Sequence, residues 1–167
     1  MLTSACGGLT ANLRVGEFVV VWDHLVYPLG GRASAVGWED GPPGAGRLGA
    51  VCSRRATNAL EAACLESLAR WRRGVLAFSA GPCYESPAEA GLLRDAGADV
   101  VSMSAAAEAK AAAREGLKTA CLCCVTNLVG PRADHGEVLE AAASSRKTLS
   151  AVLDRFVSLA ARGGWAD

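Results

Sequence analysis

The sequence is poor in aromatic residues, in histidine and in net charge. Nine of its 167 residues are aromatic (four Trp, two Tyr, three Phe), so any core must be built mainly from Ala, Val and Leu. Lys+Arg and Asp+Glu balance at 17 each. That balance excludes the basic face with which a protein neutralises nucleic-acid phosphates, and it excludes an acidic disordered tail. No run reaches the roughly 18–20 apolar residues of a membrane span, and no basic stretch leads into an apolar one as in a signal peptide. Seven cysteines, an odd number at irregular spacing, fit a disulfide framework poorly. The expectation is a soluble, cytoplasmic protein in a reducing compartment. Its length suits one domain, with chain enough to bury a core without staples.

What is present reads as alternating strands and helices. Val15–Leu25 runs through Phe18, Val19, Val20, Val21 and Trp22, a short apolar stretch suited to a strand buried on both faces. Pro28–Arg47 is Gly-rich with adjacent prolines and reads as a long loop, extending to about residue 56. Thr57–Arg73 sets Leu60, Ala63, Cys64, Leu68 and Trp71 at helical spacing. Gly74–Ala80 is a second buried strand. In the next helix Ser86 caps, Pro87 takes the first turn, Glu89 completes a capping box and Gly97 marks the end. Val100–Met103 is a short strand, Ala105–Glu115 an Ala-rich helix, and Leu117–Thr126 a third long strand. A last helix starts near Asp134. This alternation predicts an α/β fold, a mixed and largely parallel central sheet flanked by helices.

Two formal motifs carry little. Gly44–Gly49 (GAGRLG) matches GxGxxG, but WEDGPP before it is loop, and a dinucleotide site needs a strand there. Cys121, Cys123 and Cys124 contain a CxxC, yet zinc needs a second pair of ligands at suitable spacing and none exists. Small buried cysteines are the simpler reading. The informative polar residues lie at strand ends: Gly81–Glu85, Ser104 and Thr126–Asn127. In parallel α/β sheets ligands bind outside the carboxyl ends of strands. Singly, Glu85 reads as a solvated acid, Ser104 as a helix cap and Asn127 as a turn residue; their common placement is what points to one site.

These strand-end segments resemble the trimeric purine nucleoside phosphorylase family across most of the chain. The resemblance rests on TSACGGL at Thr3–Leu9, VGEFVVVWDH, GPCYESPAE at Gly81–Glu89, GADVVSMS with Glu108 and REGL, VTN at Val125–Asn127, and DHGEVLEA at Asp134–Ala141. It implies phosphorolysis of 6-oxopurine (deoxy)ribonucleosides such as inosine and guanosine, with inorganic phosphate as cosubstrate and no cofactor or metal. Asn127 matches the residue that hydrogen-bonds purine N7 and O6, a task suited to an amide, which is both donor and acceptor. Glu85 matches the carboxylate that accepts from N1–H. Adenine N1 is itself an acceptor, so a methylthioadenosine phosphorylase-like activity is the less favoured alternative. Tyr84 matches a residue beside base and sugar, Thr126 and Ala5 neighbours of the base, Met103 the ribose wall and His135 the ribose 5′-hydroxyl partner. Ser104 and the Ala5 N–H match phosphate contacts.

The chain departs from the family in three places. The family's N-terminal portion, with a Gly-Ser-Gly phosphate loop and an Arg-x-His clamp, has no counterpart, so residues 1–167 read as a single partial nucleoside phosphorylase domain, N-terminally truncated. Arg32–Thr57 keeps almost none of the family's loop, and Ala105-Ala106-Ala107-Glu108 replaces Thr-Val-Pro-Glu. The resemblance therefore leaves two assemblies open, a homotrimer or a partner chain replacing the missing portion. It also leaves a second functional reading: an inactive homologue that binds purine or serves as an interaction subunit.

Overall fold

A computed structural model describes residues 1–26, 52–130 and 135–163. Five strands and four helices are seen among them. In chain order they are β1 (Leu2–Gly8), β2 (Phe18–Val26), α1 (Arg54–Glu66), β3 (Trp71–Phe78), α2 (Pro87–Asp95), β4 (Val100–Ser102), α3 (Ala105–Arg114), β5 (Cys121–Leu128) and α4 (His135–Gly163). The strands pair in the order β1-β4-β3-β2-β5, and β5 pairs again with β1, so the sheet closes on itself. The β1–β5, β2–β3 and β3–β4 pairs are parallel, and β1–β4 and β2–β5 antiparallel. The mixed, largely parallel sheet expected from the alternation is what forms.

Strand β2 shows why a continuous apolar run was needed. Val19 and Val21 face the inside of the ring with Cys6, Leu76, Val100, Cys121, Cys123 and Val125. Phe18 and Val20 face outward against Leu60, Ala63 and Cys64 of α1 and Val152 and Phe156 of α4. A ring of five strands has a narrow interior. Cys, Val and Ala side chains pack there with Leu13, Leu76 and Phe78. The Cys121 thiol is raised by its hydrogen bond with Cys123 and by burial, so it stays neutral. Cys123 is raised as well, by Cys6 and by burial, against the opposing hydrogen bond of Cys121. Among the described residues no cluster suited to a metal occurs.

Several boundaries differ from the sequence reading. The segment Thr3–Leu9, given no element in the sequence reading, is mostly β1, whose short Ala, Cys and Gly side chains suit close packing on β5. Helix α1 begins at Arg54, capped by Ser53 accepting from Ala56 N–H at 3.4 Å, so the long loop ends sooner than expected. The helix also stops early. Leu68 sits at φ +53 and is 93% exposed, and Trp71 belongs to β3. The helical spacing of Leu68 and Trp71 was therefore accidental. Thr126 and Asn127 lie within β5, not after it. The capping box at Ser86 and Glu89 and the positive φ of Gly97 are as expected. Pro28–Arg47 and Gly44–Gly49 lie outside the described residues, as does the side chain of His135.

The connection from β1 to β2 is clamped by a buried ion pair. Glu17 is 3% exposed, and its two oxygens accept from Arg72 Nε at 2.8 Å and from Arg14 N–H at 3.1 Å. Arg72 also donates to Asn12 O at 2.9 Å. One side chain thus joins the start of β3 to the loop that turns the chain back from β1.

Candidate functional site

A cavity of about 360 Å³ opens beside β1, where strand pairing runs out. β1 pairs with β4 only at Gly7–Val101 and Gly8–Val100. β4 is three residues long, and the chain then turns into α3. The edge of β1 at Thr3–Ala5 consequently has no β4 partner, and those residues line the cavity.

Seven of the eight residues singled out from sequence line this one space: Ala5, Tyr84, Glu85, Met103, Ser104, Thr126 and Asn127. The eighth, His135, opens α4, and Val138 one turn later also reaches the cavity. Each arrives from a different device. Tyr84 and Glu85 lie on the loop between β3 and α2. That loop enters through Gly81 at φ +61, where an added Cβ would stand 2.7 Å from Met103 Sδ. Glycine lets the loop turn and lie close over the residue after β4.

Thr126 and Asn127 are adjacent in β5 and should point to opposite faces. Both line the cavity because the β1–β5 register shifts: Cys6 pairs with Val125, and Gly7 with Asn127. The extra residue is Thr126, a bulge that re-aims the Asn127 side chain. Its hydroxyl lies 3.3 Å from both Cys6 O and Asn127 Oδ1 and can donate to either one. Thr126 is 2% and Asn127 9% exposed, so the amide is held rather than free. The Asn127 amide keeps its NH₂ donors and one Oδ1 lone pair beyond the contact with Thr126.

At the other side, Ser104 precedes α3 but makes no side-chain cap. The bland reading of Ser104 as a helix cap is not what its hydroxyl does. It sits 3.4 Å from Ser4 Oγ, and Ser4 donates to Ser102 Oγ at 3.1 Å. Ser4 and Ser102 escaped sequence reasoning. The available signal was Ser102 ending the apolar strand β4 and the Thr3–Ser4 hydroxyl pair in β1. Among the described lining residues the one formal charge is Glu85; no Lys or Arg is present.

The arrangement offers a carboxylate, an oriented amide, an aromatic wall and a set of hydroxyls, which suits a planar polar ring joined to a hydroxylated group. The chain is 38% identical over 157 residues to purine nucleoside phosphorylase of Mycobacterium tuberculosis, covering 92% of this chain and 54% of that protein. It is 32% identical over 173 residues to the purine nucleoside phosphorylase of Rattus norvegicus, covering 95% and 57%. The crystal structure of Schistosoma mansoni purine nucleoside phosphorylase in complex with inosine superposes with a TM-score of 0.78 at 26% identity, over 93% of this chain and 59% of that one. The chain spans about half the length of the curated relatives it matches. The sequence pattern of the phosphorylase superfamily matches residues 1–158, and the chain belongs to that superfamily.

Proposed function

We propose that this chain carries the base and sugar end of a purine nucleoside phosphorylase site, which cleaves the N-glycosidic bond of inosine, guanosine and their 2′-deoxy forms with phosphate. The products are the free base and (deoxy)ribose 1-phosphate, and the role is purine salvage. The observation that carries this reading is the convergence of Glu85 and Asn127 on one cavity, with Thr126 holding the Asn127 carbonyl. The Asn127 amide, as donor and acceptor, hydrogen-bonds N7 and O6 and stabilises the negative charge that grows on the departing base. Glu85 accepts from N1–H and, in guanine, from the 2-amino group. Tyr84 and Met103 flank base and ribose, and His135 takes the 5′-hydroxyl. Ser104 and the Ala5 N–H contact phosphate, which attacks C1′ as the base leaves. No cofactor enters this chemistry. A cytoplasmic location and a homotrimer, or a partner chain that completes the site, belong to the same reading.

One observation favours a second reading. No Lys or Arg lies among the described lining residues. A homologue that binds purine without turnover fits that lining. Inosine phosphorolysis by the folded chain across a range of phosphate concentrations separates the two. Turnover that depends on phosphate supports the first, and base binding without turnover supports the second.

A further inference from the structure

We propose that Ser102 is a positioning residue for the phosphate end of the cavity. It ties Ser4 to the start of α3, so that the Ser4 and Ser104 hydroxyls stand side by side toward an oxyanion. The inference rests on the phosphorylase reading above and adds two residues to it. Extending the β1–β4 register from Gly7–Val101 would set Cys6 against Ser102 and Ser4 against Ser104. The ladder stops instead, because the chain turns into α3 after Ser102. Three hydroxyls then take over the join that backbone pairing has left. Ser102, 6% exposed, accepts from Ser4 Oγ at 3.1 Å and from Ser104 N–H at 3.4 Å. Its carbonyl accepts from Ser79 N–H at 3.1 Å, fixing it to the end of β3. Ser4 Oγ also lies 2.8 Å from Ala5 O and 3.4 Å from Ser104 Oγ.

A hydroxyl has one proton, so Ser4 can serve Ala5 O or Ser102 Oγ but not both at once. When it serves Ala5 O, the Ser102 hydroxyl can donate to Ser4 Oγ instead, so Ser102 anchors Ser4 in either case. An anion is the ligand this corner favours over a sugar. The Ser104 hydroxyl is not spent on capping, it lines the cavity, and it stands at the N-terminus of α3, which attracts negative charge. With no Lys or Arg among the described lining residues, orientation of neutral donors decides how well an oxyanion is held.

The test is calorimetric titration of the full chain with inorganic phosphate, hypoxanthine and inosine, for wild type, Ser102→Ala, Ser4→Ala and the double variant. The proposal expects each single variant to weaken phosphate by roughly five- to tenfold, the worth of one hydrogen bond. Hypoxanthine affinity should stay within about twofold, and the double variant should bind phosphate no worse than Ser102→Ala, because the two act as one unit. Unchanged phosphate affinity overturns it, as does a parallel loss of hypoxanthine or a loss confined to inosine. If Ser102→Ala does not fold, Ser4→Ala decides by the same readings. A wild-type chain that binds hypoxanthine but no phosphate overturns this inference and leaves base recognition standing. One that binds neither overturns both.

Discussion

Gly7 pairs with Asn127, although the register up to Cys6 would have matched it to Thr126. That one-residue slip brings a strand amide to the wall of the cavity. Its tolerance is small, since a Cβ on Gly7 would stand 2.7 Å from Val129 Cγ2 and 3.5 Å from Asn127 Nδ2. We predict that Asn127→Ala lowers inosine turnover about 10²–10³-fold, as for loss of one preorganised donor. Gly7→Ala should lower it about tenfold by displacing the same amide, with secondary structure by circular dichroism unchanged. Full turnover in either variant would contradict the placement of Asn127 at the base.

The Glu17–Arg72 pair is a stability feature remote from the cavity. Arg72→Ala leaves the buried Glu17 carboxylate with the Arg14 N–H alone. An uncompensated buried charge is costly, though Arg72 is one-third exposed and water relieves part of the loss. Urea unfolding is expected to show a decrease of about 2–3 kcal/mol. A change near zero would mean that the β1–β2 connection is held by packing alone.

His24 gives the fold a pH dependence. It is 6% exposed, its Nε2 has no hydrogen-bond partner among the described residues, and burial holds its pKa below the ordinary 6.5 despite the opposing charge of Asp23. In the unfolded chain it takes up a proton near pH 6.5, whereas the folded chain resists it. The contribution is therefore full above pH 6.5 and is lost as pH falls below it, at up to about 1.4 kcal/mol per pH unit. His24→Gln should flatten the slope of stability between pH 7 and 5. An unchanged slope would assign the acid sensitivity to carboxylates.

The thiols should divide sharply by accessibility. Cys83 is exposed, whereas burial pushes Cys52 and Cys64 up to about 12 and encloses Cys6, Cys121, Cys123 and Cys124. Only the thiolate alkylates quickly. Brief iodoacetamide treatment of the native chain at pH 8 should add one label, at Cys83, by mass spectrometry, and all seven thiols should react after unfolding. Rapid native labelling of Cys121 or Cys123 would show that the ring interior is open.

The sequence was most readable where local chemistry speaks alone. The Ser86–Glu89 capping box and the Phe18–Val21 run each carry their own signal, and both stand as read. It was least readable where long-range pairing overrides local preference. TSACGGL has turn-like glycines, yet β5 draws it into a strand. Leu68 and Trp71 continue the period of α1, yet the chain leaves the helix at Ser67. The site divides in the same way. Glu85, Asn127 and their neighbours were visible as motifs, and the structure brings seven of those residues to one cavity. Ser4 and Ser102 were not, because their meaning depends on where the β1–β4 ladder stops.

The central claim is that Glu85 and Asn127 form a recognition site for a 6-oxopurine within this chain. Calorimetric titration with hypoxanthine and with adenine tests it most directly. The account predicts that hypoxanthine binds at least tenfold more tightly than adenine, and that Glu85→Ala removes the preference. A folded chain that binds neither base, or binds adenine equally well, would contradict it.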